Sequence, residues 1–180
     1  SLNYAHVSKN LSNETTFEVV PRAATAVGGI SGLLAGGSIT NAVVEQAFTA
    51  TAVSNSNTVI SYVGGIVGRV SGAGNYSSTI TSSMVTSNIT GASVVGGAVG
   101  QVENALTIKE VAVKSPLLTL SGQKSNPYLG GIVGNITNDN NSSLSMYNSY
   151  STSNLVLDTA TSGVTSQASV GGLIGNAMRT

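Results

Sequence analysis

The hexamer VGGIVG at residues 63–68 has four near-copies: VGGISG at 27–32, VGGAVG at 95–100, LGGIVG at 129–134 and VGGLIG at 170–175. Together the five hold 15 of the 22 glycines in a 180-residue chain, so glycine is placed rather than scattered. Their first glycines, Gly28, Gly64, Gly96, Gly130 and Gly171, are 36, 32, 34 and 41 residues apart. Self-similarity at such a period is the signature of a repeat architecture. The paired glycines Gly28-Gly29, Gly64-Gly65, Gly96-Gly97, Gly130-Gly131 and Gly171-Gly172 are the expected structural anchors.

A second motif follows each of the first four hexamers, starting at Ile39, Ile80, Ile108 and Met146. Two residues on stand Asn41, Ser82, Glu110 and Asn148. Four on stand Val43, Met84, Ala112 and Tyr150, and nine on Phe48, Ile89, Leu117 and Leu155. Steps of two and four keep side chains on one face of an extended strand. The variable gaps read as loops of unequal length, with candidates at 71–78, 121–127 and 137–143, all rich in Gly, Asn, Ser and Pro. Ala42–Ala50 and Lys109–Lys114 carry helix formers, but their match to the other repeats favours strand.

This pairing of motifs resembles the GLUG repeat family, in which a GGLVG strand is followed by a segment of the type I-x-N-S-Y-A-T-G-x-V. The closest copy is LGGIVG at 129–134 with MYNSYSTSNL at 146–155; Ile108–Leu117 departs most, with Glu110 and Val111 where Asn and Ser are expected. The resemblance spans about residues 23–180, and 1–22 reads as the second half of an incomplete first repeat. It implies a repeat region of bacterial or protist surface and secreted proteins, outside their catalytic parts.

A unit of about 35 residues with two or three short strands cannot bury its own apolar face, whereas stacked units can. The expected fold is all-β, a parallel β-helix or β-solenoid of GLUG-like repeats. Ile39, Ile80, Ile108 and Met146 would stack about 4.8 Å apart as a core ladder, with Val43, Met84, Ala112 and Tyr150 as its neighbour. Asn41 and Asn148 would join an amide ladder that Ser82 and Glu110 interrupt. The glycine hexamer, read as one strand, is apolar and thinned on both faces. It either turns a coil corner, where glycine permits φ > 0, or presents a flat stripe to another backbone.

Composition narrows function. Charged residues are 8% of the chain, 7 basic and 7 acidic, and Cys is absent. Zero net charge without a basic cluster argues against nucleic acid, and no Cys removes disulfide frameworks and thiolate zinc sites. No segment is apolar for the roughly 18 residues a membrane helix needs, and the N-terminus does not read as an intact signal peptide. A hydrophobic content of 41% is too high for a solvated coil.

No catalytic constellation is legible. The single histidine, His6, has no acidic neighbour in sequence. The acids are Glu14, Glu18, Glu45, Glu103, Glu110, Asp139 and Asp158; Glu45 and Glu110 fall at different offsets of their repeats and should not pair. Asp139 in NITNDNNSS is a poor calcium ligand set by itself. The GGxxG segments lack the helix and distal acid of a dinucleotide site. No enzyme and no cofactor is expected. Asn10, Asn13, Asn75, Asn88, Asn135, Asn140 and Asn141 begin N-x-[ST] sequons, which would accept glycan in a eukaryotic secretory route. Asn75, Asn140 and Asn141 lie in expected loops, whereas Asn135 follows a hexamer and should be buried.

The reading that follows is a structural or adhesive repeat segment of an extracellular or cell-surface protein. Its partners would be itself or flanking repeats end to end, and a host or matrix surface ligand. A carbohydrate-binding or carbohydrate-cleaving β-helix is the alternative, with only Tyr62, Tyr76, Tyr128, Tyr147 and Tyr150 as aromatics in the repeats. Ice binding would need outward Thr rows, and residues such as Thr49 and Thr51 do not recur at one repeat position. Copied head to tail, the chain would place the next first glycine 37 residues after Gly171, inside the observed range of 32 to 41. Neither end carries an evident polar cap, which favours a fibre or filament.

Overall fold

Each hexamer bends at its second glycine and the residue after it, so that one strand ends on the first glycine and another begins three residues later. The computed structural model describes residues 1–8, 25–50, 60–121, 127–137, 141–158 and 167–178, with the backbone of 17–19. The first layer holds β1 (Leu2–Val7), β2 (Phe17–Val19), β3 (Thr25–Gly28) and β4 (Ser31–Leu34). The second holds β5 (Gly37–Val44), β6 (Phe48–Ala50), β7 (Ser61–Gly64) and β8 (Val67–Val70). The third holds β9 (Ser77–Val85), β10 (Ile89–Gly91), β11 (Val94–Gly96) and β12 (Val99–Val102). The fourth holds β13 (Ala105–Val113), β14 (Leu118–Ser121), β15 (Tyr128–Gly130) and β16 (Val133–Ile136). The fifth holds β17 (Ser143–Tyr147), β18 (Tyr150–Ser151), β19 (Leu155–Asp158), β20 (Ser169–Gly171) and β21 (Ile174–Ala177).

Corresponding strands pair in parallel from layer to layer and make four sheets. The first sheet runs β1-β5-β9-β13-β17, with β18 also on β13; the second runs β2-β6-β10-β14-β19. The third runs β3-β7-β11-β15-β20 and the fourth β4-β8-β12-β16-β21. The chain is therefore an all-β, parallel β-solenoid. Of the segments with helix formers, residues 42–44, 48–50 and 109–113 are strand, as register matching predicts, while 45–47 link β5 to β6 and 114 follows β13. The core is one column between the sheets. Leu2, Ile39, Ile80, Ile108 and Met146 occupy one register row, and Ile80 and Ile108 are fully buried. Val27, Val63, Val95, Leu129 and Val170 form another row on the third sheet. Each fully buried aliphatic side chain contributes about 1.5–3 kcal/mol, so stacking supplies the core that one layer lacks.

The expected single face of the second motif is corrected. Tyr4, Asn41, Ser82, Glu110 and Asn148 all have positive φ, between 47° and 62°. A left-handed residue in mid-strand resets the in-out alternation, so the buried positions run Ile39, Ala42, Val44 and Ile80, Ser83, Val85. Val43, Met84, Ala112 and Tyr150 do share a row, but they are half-buried or exposed rather than core. The row of Phe48 and Ile89 continues with Leu118, not Leu117, before reaching Leu155. The fourth layer has one more residue at this corner, where Pro116 stands, and Leu117 is exposed. That shift also brings Thr49, Thr90 and Thr119 into one file, three long and bounded by Val156. Thr51 lies outside the described residues.

The glycines at the hexamer corner act by closeness, not by positive φ, which among described glycines occurs only at Gly36, Gly37 and Gly74. A Cβ on Gly64 would stand 2.1 Å from the Val67 carbonyl oxygen, and one on Gly96 1.9 Å from that of Val99. A Cβ on Gly65 would stand 2.2 Å from the Gly97 carbonyl oxygen of the next layer. The third glycine of each hexamer packs backbone on backbone between the third and fourth sheets: a Cβ on Gly68 would stand 2.4 Å from the Val27 nitrogen. The corner and the close backbone approach are thus one feature.

Candidate functional site

The left-handed residues form the most regular surface feature, one side chain per layer along the first sheet. Asn41 Nδ2 donates to Asn3 Oδ1 at 3.0 Å, beside the row rather than along it. Ser82 Oγ donates to Glu110 Oε2 at 2.9 Å, and Lys109 Nζ lies 3.3 Å from Glu110 Oε1. The Ser82 hydrogen bond, then Lys109, hold the Glu110 carboxyl below the usual carboxylate range. Flanking this row, His6 Nε2 meets Glu45 Oε2 at 3.1 Å, one layer away, although no acid is near His6 in sequence. Tyr147 and Tyr150 are exposed on the fifth layer, and the Lys114 ammonium lies 5.9 Å from the Tyr150 ring centre.

The amide ladder lies elsewhere than expected, on the fourth sheet. Asn135 Nδ2 donates to Gln101 Oε1 at 2.8 Å and Asn176 Nδ2 to Asn135 Oδ1 at 2.8 Å. Arg69 stands below Gln101 in register and grips Glu103 with Nε and Nη2 at 2.8 and 2.6 Å. Its guanidinium lies 5.4 Å from the Tyr62 ring centre. Burial pushes the Tyr62 hydroxyl pKa up, with Arg69 opposing and Glu103 adding to the shift. A forked carboxylate contact and two amide steps tie four layers together at this face.

Of the sequons, Asn75, Asn88 and Asn141 are exposed. Asn135 is 8% exposed and committed to the amide ladder, so a glycan there would break two hydrogen bonds. Asn10, Asn13 and Asn140 lie outside the described residues, as do Glu14, Asp139 and the Glu18 side chain. Loop 71–78 is shorter than expected, because Ser77 and Ser78 belong to β9 and Ser78 is buried. Asn104, buried beneath that loop, donates to the Gly72 and Gly74 carbonyls at 3.2 and 3.3 Å. Tyr62 and Tyr128 share one row of the third sheet with Val94 between them, while Tyr76 is in the loop and Tyr147 and Tyr150 are on the first sheet. Among the described residues no three His, Asp or Glu side chains come together, and no helix is long and apolar enough to cross a membrane.

The outer layers expose core-row residues: Leu2, Val170 and Leu173 are 44%, 49% and 42% exposed. Leu33, 55% exposed, stands in the row of Arg69 and Gln101 instead. An open hollow of about 330 Å³ on the first layer is lined by Leu2, Ile30, Leu34 and Ile39 among others. Sequence reasoning missed Ser83 and Ser149, whose hydroxyls accept from the amides of Ala42 and Val111 one layer below. The Asn-Ser pair at 148–149 was the available signal, since Asn favours the left-handed region and the serine after it serves the interrupted ladder.

Comparison with protein-family models, with curated proteins and with solved structures finds no match to this chain.

Proposed function

We propose that the chain is a structural, adhesive repeat segment of an extracellular or cell-surface protein, continued end to end by further repeats or copies. The observation that carries this reading is the row-by-row register of five layers. The resemblance of the hexamers to GLUG repeats supports the surface assignment. The broad first sheet, with one polar or aromatic left-handed residue per layer, is the face that would meet a host or matrix ligand. Its groups suit contact rather than chemistry, because the described acids are spread over separate layers and engaged with Arg69, Lys109, Ser82, His6 or Ser121.

Antibody against the chain, applied to intact cells of the source organism, tests the location. Labelling of intact cells, abolished by external protease, is expected. Labelling only after permeabilisation overturns the proposal.

A further inference from the structure

The outer face of the first sheet carries two adjoining rows of hydroxyls. Ser38, Thr79, Thr107 and Ser145 form one row over the second to fifth layers. Thr40 and Thr81 form the other, which continues through Lys109 to Tyr147. Each stands next to a core-row residue, Ile39, Ile80, Ile108 or Met146, so strand alternation turns the six hydroxyls outward. None of the six makes a side-chain hydrogen bond among the described residues, whereas Asn41, Ser82, Ser83 and Ser149 on the same sheet are engaged within the protein. The spare groups lie about 4.8 Å apart between layers and about 6.7 Å apart along a strand. They stand on the face of the solenoid and not at its ends, so they do not depend on what precedes or follows the five layers.

Charge on this face is closed on itself. Lys109 Nζ lies 3.3 Å from Glu110 Oε1, and His6 meets Glu45. Lys114, at the margin, lies over the Tyr150 ring. Tyr147, which ends the second row, is 56% exposed. The aliphatic residues of the face, Val43 and Met84, are half-buried between polar rows. A polyanion would need unpaired cations here, and a protein partner an apolar patch at the centre of the contact. A neutral polysaccharide needs neither, because its hydroxyls can pair with spare hydroxyls and its C–H faces can stack on a tyrosine ring.

From this we infer that the two hydroxyl rows and Tyr147 form a binding face for a neutral, extended polysaccharide. The chain would lie across the layers, its hydroxyls on Thr79, Thr81 and Thr107 and one sugar ring on Tyr147. The inference rests on the repeat-segment reading and deepens it by naming the chemistry of the matrix ligand. The flat sheet face favours a ribbon-like polymer, since a coiled one would touch it at single turns only. The second sheet has a lone file, Thr49, Thr90 and Thr119, bounded by Val156 where the first sheet has Tyr147. It lacks the adjoining row and the ring, and so serves as the internal control.

The test is co-sedimentation of the purified chain with insoluble cellulose and with chitin, at low and high salt, with thermal melts of each variant. Retention on at least one of the two polymers, unchanged by salt, is expected. The combined variant Thr79→Val, Thr81→Val, Thr107→Val keeps shape and β-branching and loses only three hydroxyls, so it should melt as wild type and bind at least tenfold more weakly. Tyr147→Ala, at an exposed position, should lose binding to the same extent, and it decides alone if the combined variant melts lower. Thr49→Val, Thr90→Val, Thr119→Val on the second sheet should bind as wild type. Retention on neither polymer overturns the inference, as does equal retention of wild type and Tyr147→Ala or of wild type and a stably folded combined variant. Retention only on heparin beads and lost in salt, only on collagen-coated beads, or only in a growing ice front would make the occupant a polyanion, a protein or ice, and overturns it equally. Each of these failures leaves the surface-segment proposal standing, because intact-cell labelling decides that separately.

Discussion

The Ala42 amide donates to Ser83 Oγ at 3.1 Å across one layer, and the same hydroxyl donates to the Thr81 carbonyl at 2.7 Å. The left-handed Ser82 turns the third layer's backbone aside at this point, and the Ser83 side chain takes the acceptor role that a carbonyl has elsewhere in the ladder. Ser83→Ala should leave a buried amide unpaired and destabilise the fold by about 1–3 kcal/mol. Thermal melts of Ser83→Ala and Ser83→Thr check this, with Thr retaining most of the stability. Equal melting of wild type and Ser83→Ala would remove the serine from this role.

Ser78 presents the opposite case. Its hydroxyl is buried without a partner, and its register neighbour in the next layer is the buried Leu106. Ser78→Ala should stabilise the chain by about 1 kcal/mol, by removing an unsatisfied buried group. A lower denaturation midpoint for Ser78→Ala would mean that the hydroxyl has a partner.

Gly96→Ala should be among the most damaging single changes, since its methyl would overlap the Val99 carbonyl oxygen. Backbone on both sides cannot yield as a side chain can, so a loss of about 3 kcal/mol or more is expected. Gly37→Asn is the control, because nothing described surrounds that position and its positive φ suits asparagine. Comparable losses at both positions would contradict the corner role of the hexamer glycines.

The repeat spacing was enough to place the corners and the row of Ile39, Ile80 and Ile108, because glycine packed against backbone tolerates no substitute and so stays visible. What stayed hidden is where the backbone leaves the extended form. A period-two reading assumes that every residue of Ile39–Val44 is extended, and Asn41 is not. Asn41 and Asn148 are residues that favour positive φ, yet Ser82 and Glu110 hold the same conformation without that preference, which blurs the pattern. The added residue beside Pro116 moved Leu118 into the place assigned to Leu117 and concealed the file of threonines. The amide ladder was sought at Asn41 and Asn148 because they recur at one repeat position. The actual members, Gln101, Asn135 and Asn176, follow hexamers and differ in residue type.

Glu110 supplies a pH test. Its carboxyl is held below the ordinary range, first by the Ser82 hydroxyl and then by Lys109. A carboxylate whose folded pKa is depressed adds stability that is present above its unfolded pKa and lost as pH falls through the folded value. Ser82→Ala should move the Glu110 titration midpoint, followed by side-chain carbonyl NMR, upward toward the ordinary range. An unchanged midpoint would show that Lys109 alone sets it.

The layer register, on which both proposals rest, is open to one direct measurement. The chain has no cysteine, so engineered pairs report alone. Thr49, Thr90 and Thr119 occupy successive layers of the second sheet. Adjacent strands lie about 4.8 Å apart, within the roughly 4.4–6.8 Å between α-carbons that a disulfide spans. Thr49→Cys with Thr90→Cys, and Thr90→Cys with Thr119→Cys, should each oxidise readily to an intrachain disulfide. Thr49→Cys with Thr119→Cys, two layers apart, should stay reduced. A disulfide between positions 49 and 119, or none between 49 and 90, would contradict the stacking order.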